Sequence, residues 1–333
     1  MEKIKVVQIG VGHDHAYPTM QRMRELTDVF EVVGYVKLPN EDVMFENTKK
    51  HYEGLPELSL EQALSIKELK AAVIETEDNE LTHYARIAIE NGLCVQMDKP
   101  GGQNAREYND MVDLAKKKNL VFHTGYMYRY NPAIKKAIEI IKSGQLGDIY
   151  YVDAQMCCRH PDDKRQWLKK FQGGMMNYLG GHLIDLILTI QGKPDEIVPF
   201  NTVTRDDLEG QDLGFAVLKY KNGVSFAKTT SMEVGGFKRR QIVICGEKGT
   251  IEINPIEYIV GEDYINQYAD MRVALLENNN WHYRADKEVY GPYHRFDEML
   301  KEFAMIVNGK IKNPYSYEYE KLLHDTILKA CGI

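Results

Sequence analysis

Two basic side chains stand where the chain turns, and both can move protons. Lys99 follows a short apolar run and precedes Pro100 and two glycines, so we expect it at the end of a buried strand. His182 stands at the start of a predicted apolar helix. Lysine and histidine both serve as general acids and bases, so this pair is the candidate for proton transfer. The structural alternatives are a surface lysine before a turn and a hydrogen-bonded core histidine.

A second set of side chains could bind a small polar molecule near that pair. Tyr178 stands four residues before His182, and Asp185 stands three residues after it on the same helical face. Asp185 is expected to orient the histidine or to satisfy nearby backbone groups. Arg129 lies between two tyrosines and could fork onto a ligand, while Trp167 could stack on one or cap a loop. The candidate ligand-binding residues are Tyr178, Arg129, Asp185, Trp167 and His160.

A glycine turn near the N-terminus predicts a nucleotide site. A strand predicted over residues 4–9 runs into Gly10-Val11-Gly12-His13-Asp14-His15, and a helix and a second strand follow. This order is typical of a dinucleotide-binding unit. The first glycine makes the tight turn, and the second lets a pyrophosphate approach the helix N-terminus. The third position, usually glycine or alanine, is His15. We expect Gly10, Gly12, His13 and His15 to line the cofactor site.

His13 and His15 could suggest a metal ion instead. No further ligands stand at a suitable spacing in the sequence, so it predicts no metal site.

The end of the second strand bears on the choice between NAD and NADP. An acid about 20 residues after the glycines usually binds the ribose 2′-hydroxyl. Lys37 stands there in this chain, and a cation could pair with the 2′-phosphate of NADP. Alternatively, Lys37 points into solvent while Glu41 or Asp42 binds the ribose. The sequence leaves NAD and NADP open, with a slight lean toward NADP.

The first part of the chain alternates strands with helices. Further strands are predicted over residues 71–75, 94–97 and 120–124, with helices over 81–90 and 105–118. Such alternation predicts an α/β fold with a doubly wound parallel sheet. We assign residues 1–125 to a dinucleotide-binding domain.

Residues 126–333 have a different pattern and predict an α+β domain for substrate binding and oligomerisation. Helices are predicted over 132–143 and 180–190, and Lys221-Asn222-Gly223 is a strong hairpin signal between two strands. A second hairpin surrounds residues 246–249. The mostly antiparallel open sheet leaves one face to cover, so we expect a homo-oligomer, a dimer or tetramer. C-terminal helices over 293–307 and 317–330 could pack back on the first domain.

Composition excludes several classes of partner. A net charge of −7 provides no broad basic surface, so we expect no nucleic-acid partner. No apolar run approaches the roughly 20 residues that span a bilayer, so we expect no membrane partner. The five cysteines form no CxxC pair, and the N-terminus leads directly into a strand, so we expect a cytoplasmic protein without disulfides.

Several motifs, in order, resemble the Gfo/Idh/MocA family of nicotinamide-dependent sugar and cyclitol oxidoreductases. The resemblance covers nearly the whole chain. Its motifs are Gly10-Val11-Gly12, Asn79 with His83, Asp98-Lys99-Pro100 in place of Glu-Lys-Pro, the segment from Gly125 to Pro132, and the segment from Gly173 to Asp185.

The family resemblance implies a Rossmann domain that binds NAD or NADP. It also implies a second domain whose sheet faces the nicotinamide across a cleft. Thr76, Asn79, His83, Asp98 and Lys99 would then join the cofactor site. Lys99 and His182 would be catalytic in hydride transfer to or from a secondary alcohol or ketone of a sugar, polyol or sugar derivative.

One position departs from the family pattern. Sugar and inositol dehydrogenases of the family carry an aspartate four residues before the histidine, where this chain has Tyr178. That change puts an inositol-type substrate in doubt. Two alternatives stay open: a glycoside-cleaving enzyme that uses transient NAD redox, and a non-catalytic nucleotide- or sugar-binding regulator.

Overall fold

The computed structural model describes residues 2–261, 266–278 and 282–333. The chain divides into two compact units. The first contains Met1–Tyr126 and Phe296–His324, and the second contains Met127–Arg295 and Asp325–Ile333. Each unit is built around one β-sheet.

The sheet of the first unit has five parallel strands in the order β2-β1-β3-β4-β5. The strands are β1 (Ile4–Ile9), β2 (Phe30–Val36), β3 (Ala71–Ile74), β4 (Cys94–Met97) and β5 (Phe122–Thr124). β1, β3 and β5 are almost wholly buried, as expected of parallel strands covered by helices. The predicted doubly wound parallel sheet is therefore confirmed.

Five helices connect these strands. They are α1 (Ala16–Glu25), α2 (Asp42–Thr48), α3 (Leu60–Leu64), α4 (Leu81–Glu90) and α5 (Ala105–Lys118). α1, α4 and α5 lie where the apolar spacing predicts them. The short helices α2 and α3 were not predicted because neither is long enough to repeat an apolar face. A capping box of Ser59 and Gln62 begins α3.

The second unit contains an eight-stranded sheet in the order β13-β12-β11-β10-β6-β9-β8-β7. Its strands are β6 (Ile149–Cys157), β7 (Glu196–Pro199), β8 (Leu213–Tyr220), β9 (Gly223–Thr230), β10 (Gln241–Gly246), β11 (Gly249–Ile253), β12 (Asn266–Leu275) and β13 (Glu288–His294). In the part of the chain that the structure describes, neighbouring strands are antiparallel except β6 and β9. The predicted mostly antiparallel sheet and both of its hairpins are confirmed.

Three helices of this unit precede β7. They are α6 (Pro132–Lys142), α7 (Asp162–Trp167) and α8 (Gly181–Gln191), and a π-helical turn (Met176–Gly180) leads into α8. One face of β6 is buried through Val152, Ala154 and Met156, while the residues between them are partly exposed. This alternation places one face of the sheet against a packed layer.

The C-terminal helices are α9 (Asp297–Val307) and α10 (Tyr317–Cys331). The prediction that a helix starts at Tyr293 is wrong, because Tyr293 belongs to β13 and pairs with Gln267 of β12. Among the described residues, no helix is long and apolar enough to cross a membrane.

Candidate active site

The glycine turn after β1 packs tightly against the end of β3. Gly10 has a φ of +90°, and its N–H donates to the carbonyl oxygen of Val36 at 2.9 Å. A Cβ on Gly10 would lie 2.6–2.7 Å from atoms of Thr76. The left-handed backbone and this contact both require glycine, so the turn is held at the carboxyl edge of the sheet.

A buried carboxylate accepts hydrogen bonds from this turn. Glu41 Oε2 accepts from the N–H groups of Val11 at 2.9 Å and Leu38 at 2.8 Å, and Oε1 accepts from Gly12 at 3.0 Å. Burial raises the pKa of Glu41, while these three donors oppose that rise. A Cβ on Gly12 would lie 2.7 Å from Glu41 Oε1. Glu41 is therefore the acidic group that joins the glycine turn to the segment after β2.

Lys37 forms an ion pair near the surface. Its ammonium lies 2.5 Å from Asp42, and the Lys37 side chain is 22% exposed. A 2′-phosphate would have to compete with Asp42 for Lys37. The carboxylate that contacts the turn is Glu41.

Lys99 lies just beyond the carboxyl end of β4 and is only 1% exposed. The Asp98 N–H continues the sheet by donating to the Ile74 carbonyl at 3.1 Å. The Lys99 N–H donates to Asp98 Oδ1 at 2.6 Å. After Pro100 the chain turns at Gly101, where φ is +95° and a Cβ would lie 2.6 Å from the Tyr108 ring. Lys99 is thus a buried residue at the edge where α/β sheets bind ligands, not a surface lysine.

Four ionisable side chains of the first unit lie close to one another next to the Lys99 backbone. Asp98 Oδ2 lies 3.0 Å from His15 Nδ1 and 3.4 Å from His13 Nδ1. Glu75 Oε2 lies 3.6 Å from His13 Nδ1. We call His13, His15, Glu75 and Asp98 the histidine–carboxylate cluster.

Burial and mutual charge set the ionisation of this cluster. Burial lowers the pKa of His13, against the opposing effect of Asp98. Burial and the charge of Asp98 raise the pKa of Glu75 well above its usual value. Burial disfavours ionised Asp98, yet His13, His15 and Lys99 together hold its pKa below its usual range. These surroundings therefore favour the charged form of Asp98 and the protonated form of Glu75.

His13, His15 and Asp98 offer three donor atoms within 4.8 Å of one another, a spacing that a metal ion could use. However, the lone pair of His13 Nδ1 already accepts the His15 N–H at 3.1 Å. The positive charge of Lys99 also acts on both His13 and Asp98. We therefore retain the prediction that no metal binds here.

The remaining cofactor candidates divide into two groups. Thr76 is fully buried against the glycine turn. Asn79 and His83 are exposed, and the His83 ring packs edge-on against Tyr84 at 5.0 Å. Within this unit, Asn79 and His83 are not part of the histidine–carboxylate cluster.

In the second unit, His182 lies in the first turn of α8 and is 1% exposed. The ring of Tyr128 packs edge-on against the imidazole at 5.0 Å. The Tyr128 hydroxyl donates to Glu257 and accepts from Arg240. Burial would raise the pKa of Glu257, but Arg295 and Arg240 hold it below its usual range. This charged network fixes Tyr128, and Tyr128 supports one side of His182.

Arg129 also holds this helix. Its Nη2 donates to Asp185 Oδ1 at 2.8 Å, and its Nε donates to both Asp185 oxygens at 2.9–3.0 Å. Both side chains are 1% exposed. This differs from the expectation that Arg129 and Asp185 contact a substrate: their charged groups bind each other because neither can be buried alone. Two consecutive residues, Tyr128 and Arg129, therefore hold His182 and Asp185.

An aromatic wall surrounds Tyr178. Its ring packs edge-on with Trp167 at 5.6 Å and with His160 at 5.9 Å. Sequence reasoning missed Lys164, whose ammonium lies 3.8 Å from the Trp167 ring centroid and 4.6 Å from that of Tyr178. The sequence contained one sign of this contact, because Lys164 and Trp167 are three residues apart and therefore neighbours on one face of a helix. The structure thus groups three of the predicted ligand-binding residues.

The first unit has a parallel sheet with a glycine turn and a buried lysine, and the second unit carries a buried histidine. This combination is typical of a class of two-unit oxidoreductases that use nicotinamide cofactors. The chain belongs to the GFO/IDH/MocA family. The family model described as "Oxidoreductase family, NAD-binding Rossmann fold" matches residues 4–126. The model described as "GFO/IDH/MocA C-terminal domain" matches residues 134–252. The resemblance drawn from the sequence motifs is confirmed.

Relatives carry oxidoreductase names. Oxidoreductase P35 of Formosa agariphila is 24% identical over 305 residues, 88% of each chain. D-xylose 1-dehydrogenase (NADP(+)) 2 of Haloferax volcanii is 26% identical over 200 residues, 59% of this chain and 60% of the relative. For other relatives the match spans as little as 38% of the relative's own length.

The fold recurs in solved structures. The aldose-aldose oxidoreductase from Caulobacter crescentus, solved with glycerol, matches with a TM-score of 0.80 over 99% of this chain and 98% of that chain. Sequence identity there is 16%, so the likeness concerns the fold.

Proposed function

We propose that this protein is a nicotinamide-dependent oxidoreductase that moves a hydride between the cofactor and a secondary alcohol or ketone of a sugar, polyol or sugar derivative. The observation that carries the proposal is the burial of Lys99 beyond β4, beside a glycine turn beyond β1. Only β3 lies between those strands, and ligands of such sheets bind beyond their carboxyl ends.

The residues fit a dinucleotide. A Cβ at Gly10 or Gly12 would collide with Thr76 or Glu41, so this turn requires glycine, and α1 begins beyond it at Ala16. We assign the pyrophosphate to the N-terminus of α1. When bound, the nicotinamide would supply the hydride acceptor or donor. The chain itself must then handle the hydroxyl proton. We assign Lys99 to hydrogen-bond the reacting oxygen and His182 to exchange the proton as general acid or base.

NAD is the cofactor that we propose, because of Glu41. A carboxylate that accepts from Gly12 N–H stands where an acid commonly binds the adenosine ribose. Glu41 could accept from a ribose 2′-hydroxyl but would repel a 2′-phosphate. Lys37, the basis of the lean toward NADP, is paired with Asp42. The geometry therefore favours NAD over the earlier expectation.

The substrate class rests on the aromatic wall and on the relatives. Relatives and structural neighbours include proteins named for xylose and aldoses, which supports a carbohydrate-like substrate. Tyr178, Trp167 and His160 pack together in the second unit, with Lys164 over two of the rings. We assign this aromatic wall to a substrate less densely hydroxylated on that side than inositol. We also propose a homo-oligomer formed through the open sheet face.

The test is a screen of aldoses, cyclitols, uronates and aryl glycosides with NAD and with NADP. Reduced nicotinamide is followed by absorbance, and products are followed by mass spectrometry. The proposal expects stoichiometric reduction of NAD by at least one alcohol and loss of that activity in Lys99→Met. Glycoside cleavage without net NAD reduction would support the transient-redox alternative. Tight binding of cofactor and sugar without any turnover would support a regulator.

A further inference from the structure

Two departures from the family pattern contact each other. His15 replaces the usual glycine or alanine at the third position of the turn, and Asp98 replaces the glutamate before Lys99. They stand 83 residues apart in sequence, yet His15 Nδ1 and Asp98 Oδ2 lie 3.0 Å apart. Because each change is unusual and the two meet directly, they form one structural unit.

The Asp98 carboxylate is held at both oxygens. Oδ1 accepts the N–H of Lys99 at 2.6 Å, and Oδ2 faces His15. These two contacts fix the orientation of Asp98, and the charges of Asp98 and Lys99 act on each other.

The lengths of the two side chains are complementary. A glutamate at position 98 would extend the carboxylate by one methylene, about 1.5 Å. With His15 already at hydrogen-bond distance, that extension leaves no room for the imidazole. The His15 ring is also packed edge-on against Phe296 at 5.6 Å and against His13 at 4.9 Å, so it cannot simply swing away. The shorter acid is what allows histidine at this position.

We propose that His15, acting through Asp98, is a positioning residue for Lys99. This inference rests on the proposed function, in which Lys99 contacts the reacting oxygen. His15 holds Oδ2 of Asp98, Asp98 holds the backbone of Lys99 with Oδ1, and the lysine therefore extends from a fixed point. An error of about 1 Å in a reacting group can lower the rate on the order of 10²-fold.

The test is a double-mutant cycle with His15→Ala, Asp98→Glu and the double variant. Asp98→Glu alone should lower kcat on the order of 10²-fold with little change in KM, because the longer side chain collides with His15. His15→Ala alone should lower kcat about tenfold and recover with added imidazole, because the side chain is 16% exposed and leaves an imidazole-sized space.

The double variant has alanine at position 15 and glutamate at position 98, the residue types usual in the family. It should therefore exceed Asp98→Glu in kcat by at least about tenfold. The matched control is His51→Ala: His51 packs on Tyr17 at 4.7 Å, lies outside the histidine–carboxylate cluster, and should leave kcat unchanged. Urea unfolding and NAD affinity of each variant distinguish mispositioning from general damage.

A second measurement needs no substrate. In protein labelled with lysine carrying ¹³C at Cε, the Lys99 resonance is the one lost in Lys99→Met. It should shift in both single variants and return toward the wild-type position in the double variant, while the resonances of exposed lysines stay in place.

The kinetic cycle and the NMR measurement together separate the proposed oxidoreductase function from the positioning role of His15. If no alcohol in the screen is oxidised, the proposed function fails, and the Lys99 resonance still decides the positioning role. Additive effects of His15→Ala and Asp98→Glu on kcat, or a Lys99 resonance that does not respond to either change, would overturn the proposal.

Discussion

Cofactor choice should be set by Glu41, and Glu41→Gln is the sharpest test of it. The substitution keeps size and one acceptor oxygen but removes the charge that lies against Gly12. If the ribose 2′-hydroxyl bonds to this carboxylate, a 2′-phosphate would stand about 5 Å from it. At an effective dielectric constant of about 20, two unit charges at that distance repel by about 3 kcal/mol, on the order of 100-fold in affinity.

We therefore expect wild-type protein to bind NADH on the order of 100-fold more tightly than NADPH. Glu41→Gln should remove most of that difference, both by weakening NADH through loss of a charge-assisted hydrogen bond and by admitting the phosphate. Titration of nicotinamide fluorescence with each reduced cofactor measures both affinities. No substrate is needed.

The matched control is Glu46→Gln on α2, the helix that begins directly after Glu41. Glu46 is exposed and pairs with Lys49, and no bond joins it to the glycine turn. It should leave the ratio of the two affinities unchanged. Wild-type protein that prefers NADPH, or Glu41→Gln that changes both affinities by the same factor, would refute the role of Glu41.

Three further predictions concern other residues. Lys99→Met should lower kcat by about 10²–10⁴-fold, the usual contribution of a positioned acid–base group, with cofactor affinity nearly constant; near-normal turnover would contradict its role. Tyr178→Asp should move the acidic limb of the kcat/KM profile to higher pH, because a new carboxylate favours the protonated form of nearby His182; an unmoved limb would count against this. Glu75→Gln should become more stable than wild type as pH rises above about 4.5. Burial and Asp98 raise the pKa of Glu75, so the protonated carboxyl stabilises the folded protein below the unfolded-state pKa of this residue. That stabilisation is lost as pH rises toward the higher folded-state pKa. Urea unfolding at pH 5 and pH 8 checks the last, and a difference constant with pH would disprove it.

Much of the fold follows from local sequence patterns. Apolar runs separated by amphipathic helices predicted the parallel sheet, and Lys221-Asn222-Gly223 predicted the β8–β9 hairpin. The last two residues of β13, Tyr293 and His294, were mistaken for the start of a helix because pairing with β12 determines their structure. Local periodicity contains no information on such pairing.

The sequence predicted which residue types form the site, but it did not predict which side chains contact each other. The sequence identified Lys99 and His182 as a lysine at a strand end and a histidine at a helix start. It could not show that Arg129 binds Asp185, because a guanidinium has the same donors for a substrate as for a buried carboxylate. Nor could it show that His15 meets Asp98, since that contact depends on the arrangement of β1 and β4 in the sheet.

The supports of His182 and the aromatic wall are separate sets of residues. His182 rests on Tyr128, and α8 is anchored through Arg129 and Asp185. The wall around Tyr178 is formed by α7 and the segments next to it.

This separation makes the second unit favourable for protein engineering. A library confined to His160, Lys164 and Trp167 can vary size, polarity and charge over the proposed substrate surface, with Tyr178 kept constant because its change to aspartate is expected to act on His182. The contact of Tyr128 with the imidazole and the Arg129–Asp185 pair come from other segments. New substrate ranges can therefore be selected without rebuilding the group that handles the proton.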